Sequence, residues 1–283
     1  MLTKNQLKDI FACYGFAPLK RLGENYLIDG NIRDKIVSAV GASRGDTVLE
    51  IGPGLGALTI DLAGTGARVI AVEKDKKACA ALKDLAGGAL PNLEIVNADI
   101  LKFDLAGAAG PKKVKVAGNL PYYITTPVVE YILRNREAID LAVIMVQKEV
   151  ASRFLAVAGS EDYSSLSCFV QYHARPKHIY TVKRTCFYPA PEVDSAIVKL
   201  EIMDKPTVKV KDEDLLFRII RGAFNQRRKS VINSLSREAV LDIPKKELAA
   251  ILDRAGIDPA TRPETLSLAD FAKLTNAVEC DNL

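Results

Sequence analysis

The feature that most constrains this chain is a regular alternation, from residue 31 onward, between short strand-like runs and helical segments. Residues 47–51, 68–72, 93–96, 114–117 and 141–146 have strand length, and the last of these is apolar throughout. Around and between them, 32–40, 58–63, 76–85 and 127–134 place apolar residues at helical spacing. Continuous apolar strands are buried on both faces, and strands separated by helices pair in parallel. The expected fold is α/β: a Rossmann-like sheet covered by helices on both sides.

The pattern changes beyond Lys148. Residues 149–158 and 164–172 read as helices, and 179–183 and 196–202 as strands that could finish the same sheet. Asp204-Lys205-Pro206 is a polar, proline-bearing linker, after which only helical patterns follow, at 213–224, 228–236, 245–255 and 268–277. The boundary is therefore placed near residue 206, with one domain over 1–206 and a small all-α domain over 207–283. A chain of 283 residues accommodates such a pair.

Bulk composition narrows function less. Basic residues exceed acidic ones by 39 to 35, a net charge of +4. That excess points to nucleic acid only if the cations cluster. The five cysteines are scattered without CxxC spacing, and the only histidines are His173 and His178. Reduced thiols and no metal site are expected. Lys4, Lys8 and Asp9 mix charges at the N-terminus, unlike a secretory or transit segment, and no apolar run approaches the roughly 20 residues of a membrane span. The expectation is a cytoplasmic, monomeric protein.

Glu50-Ile51-Gly52-Pro53-Gly54-Leu55-Gly56 joins the first sheet strand to a helix. Glycines there let the backbone approach a ligand closely. With Ala57 in third place the loop also fits a dinucleotide fingerprint, so alone it does not separate a dehydrogenase from a methyltransferase. Glu73, ending the second strand, suits ribose hydroxyls in either case. Glu50 is awkward beside a pyrophosphate but suits the cationic amino-acid tail of S-adenosylmethionine. Asp99, after the third strand, is placed to accept from an adenine amine. Each carboxylate alone reads as an ordinary polar strand end; their succession along one rim of the sheet favours methyl transfer.

The fourth strand leads into Asn119-Leu120-Pro121-Tyr122. The exocyclic amine of adenine is planar, with its lone pair delocalised into the ring. An acceptor pair, the Asn119 side-chain oxygen and a carbonyl near Leu120, would bind its two N–H groups more strongly as the nitrogen becomes tetrahedral. Pro121 stiffens the turn, and Tyr122 offers a stacking face worth about 1–3 kcal/mol. Phe187, in Cys186-Phe187-Tyr188-Pro189-Ala190-Pro191, is read as a second stacking ring, with a loop anchor in the core as the plainer alternative. Arg218, Arg221, Arg227, Arg228 and Lys229 lie within a stretch that contains no acid. They are expected to bind phosphates, with Phe217 and Phe224 among them as core contacts. Lys20-Arg21 and Lys112-Lys113-Lys115 add cations, and RNA with unpaired adenines is the favoured target.

Taken together these motifs resemble the ribosomal RNA adenine dimethyltransferase family. The resemblance covers nearly the whole chain and includes Leu22 onward through Gly23-Glu24-Asn25-Tyr26-Leu27-Ile28-Asp29, and Gln147-Lys148-Glu149-Val150-Ala151. It continues through Val193-Asp194-Ser195 and Ala223-Phe224-Asn225-Gln226-Arg227-Arg228-Lys229. It implies a class I S-adenosylmethionine-dependent sheet with residues 1–30 contributing to the cofactor site, so that Asn25 and Leu27 join Glu50, Gly52, Gly54, Glu73, Asp99 and Asn119 as ligand candidates. It further implies four methyl transfers to two adjacent adenosines near the end of small-subunit ribosomal RNA, in an assembling subunit that the helical domain helps to dock. Glu24 and Tyr26 depart from the glutamine and phenylalanine usual there. The alternatives are the antibiotic-resistance branch, which modifies one adenine of large-subunit RNA, and a binding protein on the same fold.

Overall fold

A computed structural model describes residues 1–18, 24–88, 90–226, 228–237 and 241–281. Lys20, Arg21, Leu22, Gly23 and Arg227, all singled out above, lie outside the described residues.

Helix α1 (Lys4–Tyr14) begins in a capping box between Thr3 and Gln6 and ends at left-handed Gly15. The short β1 (Tyr26–Leu27) precedes α2 (Gly30–Val40), whose N-cap Asp29 accepts from the Asn31 and Ile32 amides. Helix α2 buries Ile32, Ile36 and Val40, one stripe of a 3.6-residue period. The alternation then runs β2 (Thr47–Ile51), α3 (Thr59–Gly64), β3 (Arg68–Glu73), α4 (Lys76–Ala86), β4 (Leu93–Asn97), α5 (Leu105–Ala109), β5 (Val114–Asn119), α6 (Thr125–Arg134) and β6 (Ile139–Gln147). After it come α7 (Lys148–Leu155), α8 (Ser165–His173), β7 (Ala174–Val182), β8 (Phe187–Tyr188) and β9 (Ser195–Ile202). The chain closes with α9 (Glu213–Phe224), α10 (Val231–Arg237), α11 (Lys245–Arg254) and α12 (Leu268–Asp281).

Seven strands form one sheet in the order β4-β3-β2-β5-β6-β9-β7. Strands β2 to β6 pair in parallel, and β9 runs antiparallel to β6. The order departs from β2 in both directions, which opens a crevice at the carboxyl ends where ligands of such sheets bind. Strands β1 and β8 form a separate two-stranded ladder that pairs Tyr26 with Tyr188 and Leu27 with Phe187. The sheet and α2 share a core that includes Val48, Val69, Ala117, Val143 and Ile197.

The chain divides into two compact units, 1–151 with 175–204, and 152–174 with 205–283. A single boundary near residue 206 therefore misassigns 152–174, which the sequence placed in the first domain. The reason is aromatic packing: Phe169, Tyr172 and His173 of α8 set their rings edge-on or tilted against Phe217 of α9, at centroid distances of 5.0, 5.1 and 5.7 Å. Around these rings the second unit builds its own core, which Tyr163, Phe224 and Phe271 extend.

Candidate active site

A cavity of about 540 Å³ opens at the carboxyl ends of β2, β3, β4 and β5. Its lining contains every expected cofactor residue: Asn25, Leu27, Glu50, Gly52, Gly54, Glu73, Asp99 and Asn119. Leu120, Pro121 and Tyr122 complete the same wall. Parallel pairing in register brings them together. Glu50 sits opposite Ala71 and Ala117, and Glu73 opposite Asn97, so each β-strand delivers its terminal polar group to one rim.

The loop after β2 needs its glycines. Gly54 has φ +55°, and a Cβ there would lie 3.1 Å from the Tyr26 ring. The Gly54 amide donates to Glu73 Oε2 at 3.1 Å, and the Asp75 amide to Oε1 at 2.8 Å. Glu73 is thus fixed by backbone donors, while burial raises its pKa despite them. Its remaining lone pairs suit a diol.

Glu50 behaves differently. It is 1 % exposed, and its Oε2 atom has no hydrogen-bond partner among the described residues. Burial pushes its pKa up to about 8; the nearby Thr59 hydroxyl opposes the rise and the Glu73 carboxylate adds to it. An isolated buried carboxylate is costly unless a cation or donor meets it. This orphaned acceptor in a cavity wall fits a ligand carrying an ammonium or sulfonium charge. S-adenosylmethionine carries both, so the residues present fit that cofactor. Asp99 accepts from the Leu101 amide at 3.1 Å through Oδ1 and from Lys74 Nζ at 2.9 Å through Oδ2. The Lys74 contact holds its pKa below the ordinary carboxylate value.

The tetrapeptide starts inside β5 rather than after it, because the strand runs on to Asn119. Gly118 permits this: a Cβ there would meet the Ile51 carbonyl at 2.9 Å. Asn119 Nδ2 donates to the Asn25 carbonyl at 2.8 Å, which fixes the amide with Oδ1 as its acceptor end. The Leu120 amide donates to the Met145 carbonyl, and the Pro121 carbonyl accepts from the Ile124 amide and the Thr125 hydroxyl. Of the carbonyls at this corner, that of Pro121 is therefore engaged in the turn. Tyr122 shares a 2.7 Å hydrogen bond with Ser195 Oγ, and burial raises its pKa.

Phe187 departs from expectation. It is 2 % exposed, lies in the sheet core with Leu27, Ile36 and Val182, and does not line the cavity. The plainer alternative, a loop anchor, is what the structure shows: pairing with Leu27 turns the ring inward. The aromatic ring at the mouth is instead Tyr123, 49 % exposed and part of the lining. Sequence reasoning passed over Tyr123, Lys74 and Leu101. Tyr123 adjoins Tyr122, and only the 3-10 turn over Tyr122–Ile124 shows which ring faces out.

In the second unit, Arg218 and Arg221 are exposed on α9, whereas Arg228 and Lys229 are exposed in the turn that precedes α10. The basic run is thus split between a helix and a turn rather than carried by helices throughout. Phe217 and Phe224 are buried, as read. In the first unit, Lys113 pairs with Asp204 and Lys115 with Asp46, so these two are not unpaired cations.

The chain is similar to known proteins over nearly its whole length. The ribosomal RNA small subunit methyltransferase A of Moorella thermoacetica is 45 % identical over 94 % of this chain and 94 % of its own. A dimethyladenosine transferase from Plasmodium falciparum superposes with a TM-score of 0.78 at 29 % identity, covering 91 % of this chain and 98 % of its own. The 23S rRNA methyltransferase ErmE superposes with 0.67 at 26 % identity, over 90 % of this chain and all of its own. The family described as ribosomal RNA adenine dimethylase matches residues 16–279, nearly the full length. The chain belongs to that family of S-adenosylmethionine-dependent methyltransferases.

Proposed function

We propose that the protein transfers methyl groups from S-adenosylmethionine to the N6 amines of two adjacent adenosines near the 3′ end of small-subunit (16S) ribosomal RNA, in the cytoplasm and on an assembling subunit. The observation that carries the chemistry is the shared cavity wall: Glu50, whose Oε2 has no hydrogen-bond partner among the described residues, and the Asn119–Tyr122 corner line one space. Relatives named for the small subunit, such as that of Moorella thermoacetica, support the choice of substrate over the large-subunit alternative.

When bound, the cofactor supplies a methyl group on a positively charged sulfur. The chain's own task is to bind, orient and exclude water. Glu73 and Asp99 present carboxylates at neighbouring strand ends, and Glu50 meets positive charge. Asn119 Oδ1 and the Leu120 carbonyl accept the amine's two N–H groups, a pairing that strengthens as those hydrogens gain positive charge. The Asn25 carbonyl keeps the Asn119 amide in this orientation. Tyr122, held by Ser195, offers its ring to the base, which must leave its stack to enter. No strong base is needed, and orientation supplies much of the acceleration. Arg218, Arg221, Arg228 and Lys229 contribute phosphate contacts from the helical unit.

The test incubates the protein with labelled S-adenosylmethionine and either immature small subunits or large-subunit RNA. Label in two adjacent small-subunit adenosines is expected. Label in large-subunit RNA, or none despite cofactor binding, overturns the reading.

A further inference from the structure

The molecule carries a second cationic surface, in the first unit and outside the cavity. Strand β7 is one of the two edge strands of the seven, β4 being the other. Its residues Lys177, His178, Ile179 and Tyr180 are all exposed, so both of its faces meet solvent along this stretch. Between Asp162 and Glu192 the chain has no acidic residue, while Arg175, Lys177, Lys183 and Arg184 supply cations. Lys35 of α2 adds another, lying over the Tyr180 ring with Nζ 4.6 Å from its centroid. An exposed edge normally needs blunting, and cations do so. Alternation puts Arg175 and Lys177 on one face of β7 and Tyr180, with Lys35 over its ring, on the other, so cations flank the exposed edge on both faces, where a nucleic-acid backbone running along the edge can meet them as a strip.

Two acids approach this strip. Glu201 pairs with Lys177 at 2.7 Å, and Asp194 accepts from Lys183 Nζ and from the Arg184 amide, both at 3.0 Å. The lysines in these pairs are more than half exposed, so each pair is weak and exchangeable for a phosphate contact. Asp194 also links the strip to the reactive corner. Its neighbour Ser195 holds Tyr122, and its carbonyl accepts from the Lys148 amide at the end of β6. Lys183 and Arg184 therefore stand beside the residues that position Tyr122, and β7 leads away from them.

We infer that the strip formed by Arg175, Lys177, Tyr180, Lys183, Arg184 and Lys35 binds the phosphate backbone of substrate RNA flanking the target adenosines. This rests on the proposed function for its partner, and charge complementarity to an anionic polymer selects RNA over protein. Positioning RNA from the catalytic unit itself holds the strand close to Tyr122 independently of the helical unit's cations.

The experiment compares wild type with Arg175→Gln/Lys177→Gln/Arg184→Gln for binding to naked small-subunit RNA across a salt series. Cofactor affinity and melting temperature serve as controls. Affinity is expected to fall about tenfold or more, and the plot of log K against log salt to flatten by about 2, three contacts at roughly 0.7 each on a single strand. Restoring charge with Arg175→Lys/Arg184→Lys and native Lys177 should recover most of the binding. Wild-type affinity and slope in the Gln variant overturn the inference. Loss of binding to subunit particles but not to naked RNA also overturns it, in favour of a protein partner. Failure of the wild type to methylate small-subunit adenosines would sink the proposed function while leaving this binding comparison readable.

Discussion

The cavity of the first unit and the cation run of the second handle charge in opposite ways. In the cavity, polar groups are held individually: half-buried Glu73 accepts from two amides, half-buried Asn119 donates to Asn25, and Glu50 is held ready at 1 % exposure. On α9 and the turn after it, Arg218, Arg221, Arg228 and Lys229 lie in solvent. A buried group is fixed in position and intolerant of change, whereas exposed cations act through summed charge. Bond-making at one nitrogen needs the first kind of site; gripping a long polyanion is served by the second.

Four variants break or sharpen this contrast. Asn119→Ala should have the largest effect, reducing methyl transfer by roughly 10²–10³-fold, the scale seen on removing one donor from an oxyanion hole. Affinity for RNA should hardly move. Equal losses in turnover and in RNA binding would deny Asn119 its role at the amine.

Glu50→Gln should weaken cofactor binding by about 10–100-fold, the worth of a hydrogen bond to a charged group. Its effect on the cofactor-free protein has the opposite sign. Because the folded-state pKa is raised from 4.5 to about 8, the native protein holds more protons than the unfolded chain between those values. Wild-type stability relative to Glu50→Gln should therefore fall as pH rises through that window, and level off above it. Melting curves at pH 5 and pH 8.5 read this directly, and a constant difference would remove the buried-charge account. For the same reason, wild-type cofactor affinity should rise with pH up to about 8.

Arg218→Gln/Arg221→Gln/Arg228→Gln should lower RNA affinity about tenfold at moderate salt and flatten its salt dependence by about 2, with cofactor binding unchanged. An unaltered slope would make these residues an ordinary solvated face. The smallest effect is expected from Phe187→Leu, a conservative change in the core that costs below about 1.5 kcal/mol. It should lower the melting temperature and leave KM for RNA alone; a raised KM with an unchanged melting temperature would return Phe187 to the stacking role.

The sheet was legible because its strands are short, apolar and punctuated: 47–51 was read as observed, and β3 to β6 differ from their readings only at their ends. The residues that line the cavity were legible because strand ends in a parallel sheet converge. What escaped depends on partners remote in sequence. Strands β1 and β8 are two residues each, and only their mutual pairing makes them strands. That same pairing buries Phe187, whose proline-rich surroundings read as an open loop. Helix α8 has an unremarkable local pattern, and its membership of the second unit is decided by Phe217. That Glu50 Oε2 has no hydrogen-bond partner among the described residues is likewise invisible in sequence, because it concerns which neighbours do not reach it.

The hydrogen bond between Tyr122 and Ser195 joins residues 73 positions apart. Between them the chain completes β6, contributes α8 to the second unit, and returns through β7 and β8 before β9 can pair with β6. Closing so long a loop precedes the contact that rewards it, and such contacts form slowly. As the polypeptide is synthesised from its N-terminus, the glycine loop, Glu73 and Asn119 all emerge well before Ser195. The Tyr122–Ser195 contact is thus expected to complete the Asn119–Tyr122 corner only after the glycine loop, Glu73 and Asn119 have all been synthesised.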